Sequence, residues 1–454
     1  MNKLLRYGVL GAFVGSGLGV SALADPAVQM DKRDPGIEAG PLKITFGGFT
    51  ELAGIYRKRN ETADVGSSFN SLPFPNAPQY FEPEFRESAR QSRFAMKVEG
   101  PADAHNKAEA YFETDFLSAG VTSNSNESNS YTLRMRVFYA DWHHDDWYVL
   151  AGQNWSLATL YKKGLDIRQE NVPATIDAQY VAGFNWARQA QFRVVKSFGN
   201  FGALGLSLEE PQNVIKGTPP TGANGNSSGG SLLNSTTTYS DDIAPDLVVK
   251  YAVDPGFGHY ELYSLTRFLH DRAPSTPGSV ATTENHTTTA ESIGGGMILP
   301  LVPKMLDFQA SGLIGHGNGR YGSGSLADST FNTGNGSIAA LKEQQALVGL
   351  VAHATSRLDT YMYAGIEHET ASNSLIPGSN GGCGVLAGSC GGIGTVREIT
   401  GGAWWKFYKG SLGYLSTGAQ VEYFNNATYV GKDGSVGRTD DTMVMLSFRY
   451  YPYQ

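Results

Sequence analysis

Apolar and polar residues alternate with a period of two along nearly the whole chain. In Thr132-Leu-Arg-Met-Arg-Val-Phe-Tyr-Ala-Asp-Trp142 an extended backbone puts Leu133, Met135, Val137 and Tyr139 on one face and Arg134 and Arg136 on the other. The same alternation predicts strands near 43–57, 90–101, 105–117, 130–143, 146–154, 188–198, 201–209, 245–253, 257–268, 288–301, 304–316, 341–354, 357–370, 394–407, 410–425 and 438–452. These are about 16 segments, an even number, each long enough to cross a bilayer at a tilt. Short connections such as Gly199-Asn200, Asp254-Pro255-Gly256 and Thr355-Ser356 alternate with long polar ones: 58–89, 118–129, 155–187, 210–244, 269–287, 317–340, 371–393 and 426–437. That sorting predicts an all-β transmembrane antiparallel barrel with short periplasmic turns and long extracellular loops; a soluble sandwich has no reason to sort its loops by length. The tracts Thr218–Gly230 and Tyr321–Gly336 are Gly, Ser, Asn and Thr sequences expected to be solvated, and no second domain follows from them.

The start of the chain changes the compartment. Lys3 and Arg6 precede an apolar run, Tyr7–Val20, and Ala22-Leu23-Ala24 gives small residues at a cleavage point, so residues 1–24 read as a secretory signal peptide. Residues 25–42 then form a short periplasmic segment and 43–454 one barrel. Without Lys3 and Arg6 the 35 basic residues become 33 against 43 acidic, a balance that argues against nucleic acid as a partner. After the signal no run of about 20 apolar residues occurs, which excludes a helical span but not a barrel. Aromatic pairs at strand ends (Tyr139 and Trp142, Trp147 and Tyr148, Trp404 and Trp405, Phe407 and Tyr408) suit the headgroup girdles of such a barrel.

With lipid outside and water inside, the polar faces become the lumen wall. Arg93, Arg134, Arg136 and Arg193 form the expected cationic side, with Lys97 and Arg267 secondary. Glu109, Tyr111, Glu113 and Asp115 stand beside them, and Gln189, Gln191, Glu261 and Tyr263 extend the polar lining. Unpaired arginines at a constriction favour anions, whereas mutual pairing merely satisfies a polar interior. In the loop 155–187, Leu157, Leu160 and Tyr161 have helical spacing, and Asp166, Glu170 and Asp177 are candidate constriction acids; its apolar residues predict insertion into the lumen. Cys383 and Cys390, the only cysteines, bracket a Gly-rich loop and suit a disulfide in an exported protein. His143-His144-Asp145-Asp146 reads as a solvated turn before a metal site. No nucleophile stands marked beside a base: Gly225-Asn-Ser-Ser-Gly229 and Gly317-Asn-Gly-Arg-Tyr-Gly322 lie in Gly-rich loops, not at strand-to-helix turns, so neither an enzyme nor a cofactor is expected.

Gly152-Gln-Asn-Trp-Ser156 with the following Asn171-Val-Pro-Ala-Thr-Ile-Asp177, Leu206-Ser-Leu-Glu-Glu-Pro211, Ser311–Tyr321 and Met443-Val-Met-Leu-Ser-Phe-Arg-Tyr450 resemble segments of the DcaP-like outer-membrane porins. The resemblance implies a homotrimer of 16-stranded barrels, embedded in outer-membrane lipid and lipopolysaccharide, that passes small organic anions such as dicarboxylates. This chain departs in having no long heptad-bearing segment between Asp25 and Leu42 and in ending Tyr451-Pro-Tyr-Gln454 rather than in Phe. The expected activity is passive diffusion of small hydrophilic solutes. The alternatives are a specific uptake channel with a saturable site and a non-conducting structural barrel.

Overall fold

The computed structural model describes residues 36–452 apart from 67, 119–131, 178, 218–223, 225, 229–237, 275–282, 333–335, 371–391 and 432–433. The signal peptide, most of 25–42 and the Cys383–Cys390 pair lie outside the described residues.

Sixteen strands close into one antiparallel barrel. In chain order they are β1 (Leu42–Arg57), β2 (Glu84–Ser88 continued by Arg93–Glu99), β3 (Asn106–Asp115), β4 (Arg134–His144), β5 (Trp147–Trp155), β6 (Arg188–Ser197), β7 (Ala203–Glu209) and β8 (Asp246–Val253). There follow β9 (His259–Pro274), β10 (Thr283–Val302), β11 (Leu306–His316), β12 (Lys342–His353), β13 (Leu358–Thr370), β14 (Ile393–Gly410), β15 (Gly413–Thr428) and β16 (Arg438–Tyr451). Each strand pairs with the next. The seam closes where Thr50 to Arg57 of β1 run opposite Tyr450 to Met443 of β16, so no edge is left to seek a partner in lipid.

The outer face is apolar all round. Leu52, Phe94, Met135, Phe138, Phe192, Leu206, Leu262, Ile293, Ile314, Val348, Met362, Ile399, Val421 and Leu446 are exposed, a belt that water would not tolerate and hydrocarbon does. Trp142, Trp147 and Trp405 stand outside as expected of a girdle, but Tyr139, Tyr148 and Trp404 are buried on the inside. The inward rings have polar partners: Tyr148 OH donates to Leu165 O (2.6 Å) and Trp404 Nε1 to Ala174 O (2.9 Å).

Three expectations fail for identifiable reasons. First, Val137 and Tyr139 do not face lipid. A β-bulge between the Glu113↔Val137 and Thr114↔Met135 pairs leaves Arg136 and Val137 both pointing inward, and from there the alternation is inverted, with Tyr139 and Asp141 inside and Phe138 and Trp142 outside. Second, β9 and β10 overrun their predicted ends at 268 and 288, pairing as far as Pro274↔Thr283. Polar residues on the outer face there (His270, Arg272, Asn285, Thr287) as well as on the inner one (Asp271, His286) erase the alternation while the hydrogen-bond ladder continues. Third, the tract from Tyr321 is not solvated. Tyr321, Leu326, Asp328, Ser329, Thr330 and Phe331 are buried, because the wall supplies acceptors to their backbone and a polar lumen does not require an apolar segment to fill it.

Candidate functional site: a charged lumen narrowed by inserted segments

The segment Ser156–Ala187 leaves β5, crosses the barrel and returns to β6. Its described residues contain no helix; Tyr161 and Glu170 instead form an antiparallel bridge that folds its first half into a turn. Its amides are held by side chains of the wall. Leu157 N donates to Glu209 Oε1 (2.8 Å), Ala174 N to Tyr363 OH (3.2 Å), Ile176 N to Gln420 Oε1 (2.5 Å), Ala182 N to Glu398 Oε2 (2.9 Å) and Gly183 N to Glu367 Oε1 (2.7 Å). The strap thus reaches from β7 to β13, β14 and β15. Its closest approach needs glycine on both sides. Gly183 has φ +82° and a Cβ there would lie 2.1 Å from Ala346 O, while a Cβ on Gly365 would lie 1.7 Å from Ala182 O.

Two further segments join it. Gly324 N donates to both oxygens of Glu367 (2.9 and 3.0 Å), so one carboxylate ties the strap and the 317–331 segment to the same strand. Between β1 and β2, Val65, Phe69 and Leu72 are buried, and Asn426 Nδ2 and Thr439 Oγ1 bond Phe69 O (2.5 Å) and Pro73 O (2.5 Å). Gln179 Nε2 reaches Ser323 O at 2.6 Å, joining strap to segment.

Basic side chains gather on β2 to β6. Arg134 forms a two-point pair with Asp115 (2.9 and 2.7 Å), and Arg136 bridges Glu113 (2.5 Å) and Asp115 (3.0 Å). Arg93 lies 3.8 Å from Glu113. Arg188, which the sequence reading did not single out, stacks over Trp155 at 4.8 Å with no carboxylate in ion-pair reach among the described residues. Four arginines therefore stand around two carboxylates. The other expected members sit apart. Arg193 is fully buried, bonding Tyr161 OH, Trp155 O (2.6 Å) and Gln191 Oε1 (2.6 Å). Arg267 is locked by Asp246 (3.0 Å) and Asp328 (2.7 Å). Lys97 pairs with Glu99 (2.9 Å) and Glu109 (3.6 Å) near the short-turn end.

The three candidate acids of the strap are not brought together. Asp166 is exposed in a turn; Glu170 is buried against Asn154 (3.3 Å) and Tyr161 (3.4 Å); Asp177 is buried toward β15. Burial raises Asp177 to about 7, against the opposing pull of the Gln179 amide (2.9 Å), Arg57 and a hydrogen bond with Glu422. Burial also raises Glu61, in the segment after β1, to about 8, against the opposing pull of Arg57 at 3.9 Å.

Opposite the arginines stands an acidic wall. Glu343, Glu367, Glu369, Glu398 and Glu422 of β12 to β15 are buried, and among the described residues none has a lysine or arginine within ion-pair distance. Its signal was present in Tyr361-Met-Tyr-Ala-Gly-Ile-Glu-His-Glu369, whose odd-numbered residues share the inner face. The lumen thus carries its basic and acidic side chains on different walls.

No family model and no curated protein matches the chain. Among solved structures it is similar to the outer membrane channel DcaP of Acinetobacter baumannii, at 17% identity and TM-score 0.63 over 91% of this chain and 99% of that one. It is also similar to an anion-selective porin from Comamonas acidovorans, at 11% identity and TM-score 0.52 over 90% and 99%. Similarity at this level establishes a shared barrel fold.

Proposed function

We propose that the chain is an outer-membrane porin of the DcaP-like kind, passing small hydrophilic solutes by passive diffusion and favouring small organic anions such as dicarboxylates. One observation carries the anion preference: Arg93, Arg134, Arg136 and Arg188 outnumber Glu113 and Asp115 on the wall nearest the strap. An anion crossing the narrowed lumen sheds water and is drawn toward those arginines. The barrel shared with a porin described as anion-selective supports the same reading. Nothing in the mechanism calls for a catalytic residue or a cofactor.

The apolar belt fits outer-membrane lipid and lipopolysaccharide as its surroundings, and the resemblance to the family supports a homotrimer. The test is the reversal potential across a salt gradient in a planar bilayer. Wild type should favour chloride over potassium, and Arg188→Gln, which leaves no carboxylate stranded, should lower that ratio at least twofold. An unchanged ratio would remove the arginine cluster from selectivity.

The depth to which three segments fill the lumen favours a second reading, a substrate-specific channel with a saturable site. A small dicarboxylate blocking the current in a concentration-dependent manner distinguishes it from a general porin.

A further inference from the structure

We infer that the short-turn end of the lumen holds a binding site for one first-row divalent transition metal ion of the Zn²⁺ type, made by Glu109 of β3 with Asp141 and His143 of β4. The bulge at Arg136 and Val137 creates it: by inverting the alternation it carries Asp141 and His143 onto the inner face, while Glu109 lies directly opposite Asp141 in the β3–β4 register. One ligand atom from each residue falls within 4.8 Å of the other two, and His143 Nε2 stands 3.0 Å from Asp141 Oδ1.

The second, independent observation is the state of Asp141. Its side chain is 1% exposed, and neither oxygen receives a well-directed hydrogen bond from any described residue. A carboxylate buried in that condition is costly unless a cation meets it. Apart from His143 itself, no cation of the described residues lies in ion-pair reach of it. Lys107 (2.6 Å) and Lys97 (3.6 Å) both reach Glu109, not Asp141. Lys107 is 46% exposed, so a metal ion taking Glu109 displaces it into water.

One imidazole nitrogen and two carboxylate oxygens form a borderline donor set that suits Zn²⁺ and its neighbours better than Ca²⁺ or Mg²⁺, which prefer all-oxygen shells. Three protein ligands leave a fourth position open toward the lumen. The adjacent His144 is excluded from the site: it points away, with Nδ1 3.0 Å from Asn106 Oδ1.

The experiment is calorimetric titration of the detergent-solubilised full chain with ZnCl₂ at pH 7.5. One ion per chain should bind saturably. His143→Ala and Asp141→Asn should each weaken binding at least tenfold, with His144→Ala unchanged and with the heat-modifiable electrophoretic shift confirming that each variant is a folded barrel. Absence of saturable uptake by the wild type, or equal affinity in the folded His143→Ala variant, overturns the proposal. So does a loss on His144→Ala matching the loss on His143→Ala.

Discussion

Gly365→Ala tests the seating of the strap with a single methyl group. Gly365 has ordinary strand backbone, so alanine meets no conformational penalty; what it meets is Ala182 O at 1.7 Å, where ordinary contact begins near 3.4 Å. The strap must therefore retreat by about 1.5 Å or more. That retreat breaks the bonds from Ala182 N to Glu398 (2.9 Å) and from Gly183 N to Glu367 (2.7 Å). A buried hydrogen bond contributes ~0.5–1.5 kcal/mol net, so the two together amount to roughly 1–3 kcal/mol. At the lower figure the opening equilibrium shifts by a factor of about 5. Hydrogen exchange followed by mass spectrometry should show the amides of 174–183 exchanging at least about fivefold faster than in wild type, with the strands of the barrel unaffected. Gly54→Ala is the control, since a Cβ there meets nothing within 4 Å. Wild-type protection of 174–183 in Gly365→Ala would refute the placement of the strap against β13.

The same segment should respond to pH. Asp177 and Glu61 are raised above their ordinary values of 3.8 and 4.5, so the seated segments hold protons that released ones give up; seating is fullest below about pH 4 and is lost as pH rises through 7 for Asp177 and 8 for Glu61. Raising Asp177 from 3.8 to about 7 corresponds to about 4 kcal/mol, so exchange at 174–183, corrected for intrinsic rates, should accelerate at least tenfold between pH 6 and 9, and Asp177→Asn should flatten that rise. Arg136→Ala leaves buried Glu113 with only Arg93, 3.8 Å away, and should destabilise the barrel by about 3–5 kcal/mol in urea unfolding from detergent, whereas Arg188→Gln should cost less than about 1 kcal/mol. Phe138→Arg puts a charge on the lipid face and should cost about 2–4 kcal/mol if near the midplane; were the alternation of β4 uninterrupted, that residue would face the lumen and the cost would vanish.

The barrel was legible because period-two patterning is a direct consequence of a sheet with lipid on one side and water on the other. Sixteen alternating segments and loops sorted by length carry that signature without any long-range information. The bulge in β4 was not legible: one extra residue inverts every later side chain, and nothing in Arg136-Val137 marks it. Arg93, Arg134 and Arg136 were found because they share a face, yet their partners depend on the register between β3 and β4. Arg188 was missed because it stands at the first residue of a strand, where alternation has barely begun. The inserted glycine-rich tract misled most. Gly322 and Gly324 signal close backbone approach as readily as solvation, and only the position of Glu367 decides which.

Single-channel recording of the purified chain in a planar bilayer tests the central claim most directly. A polar lumen narrowed by a strap and closed to lipid predicts discrete, small, ohmic current steps in salt solution. A protein that inserts in the bilayer and gives no steps at any applied voltage would contradict it.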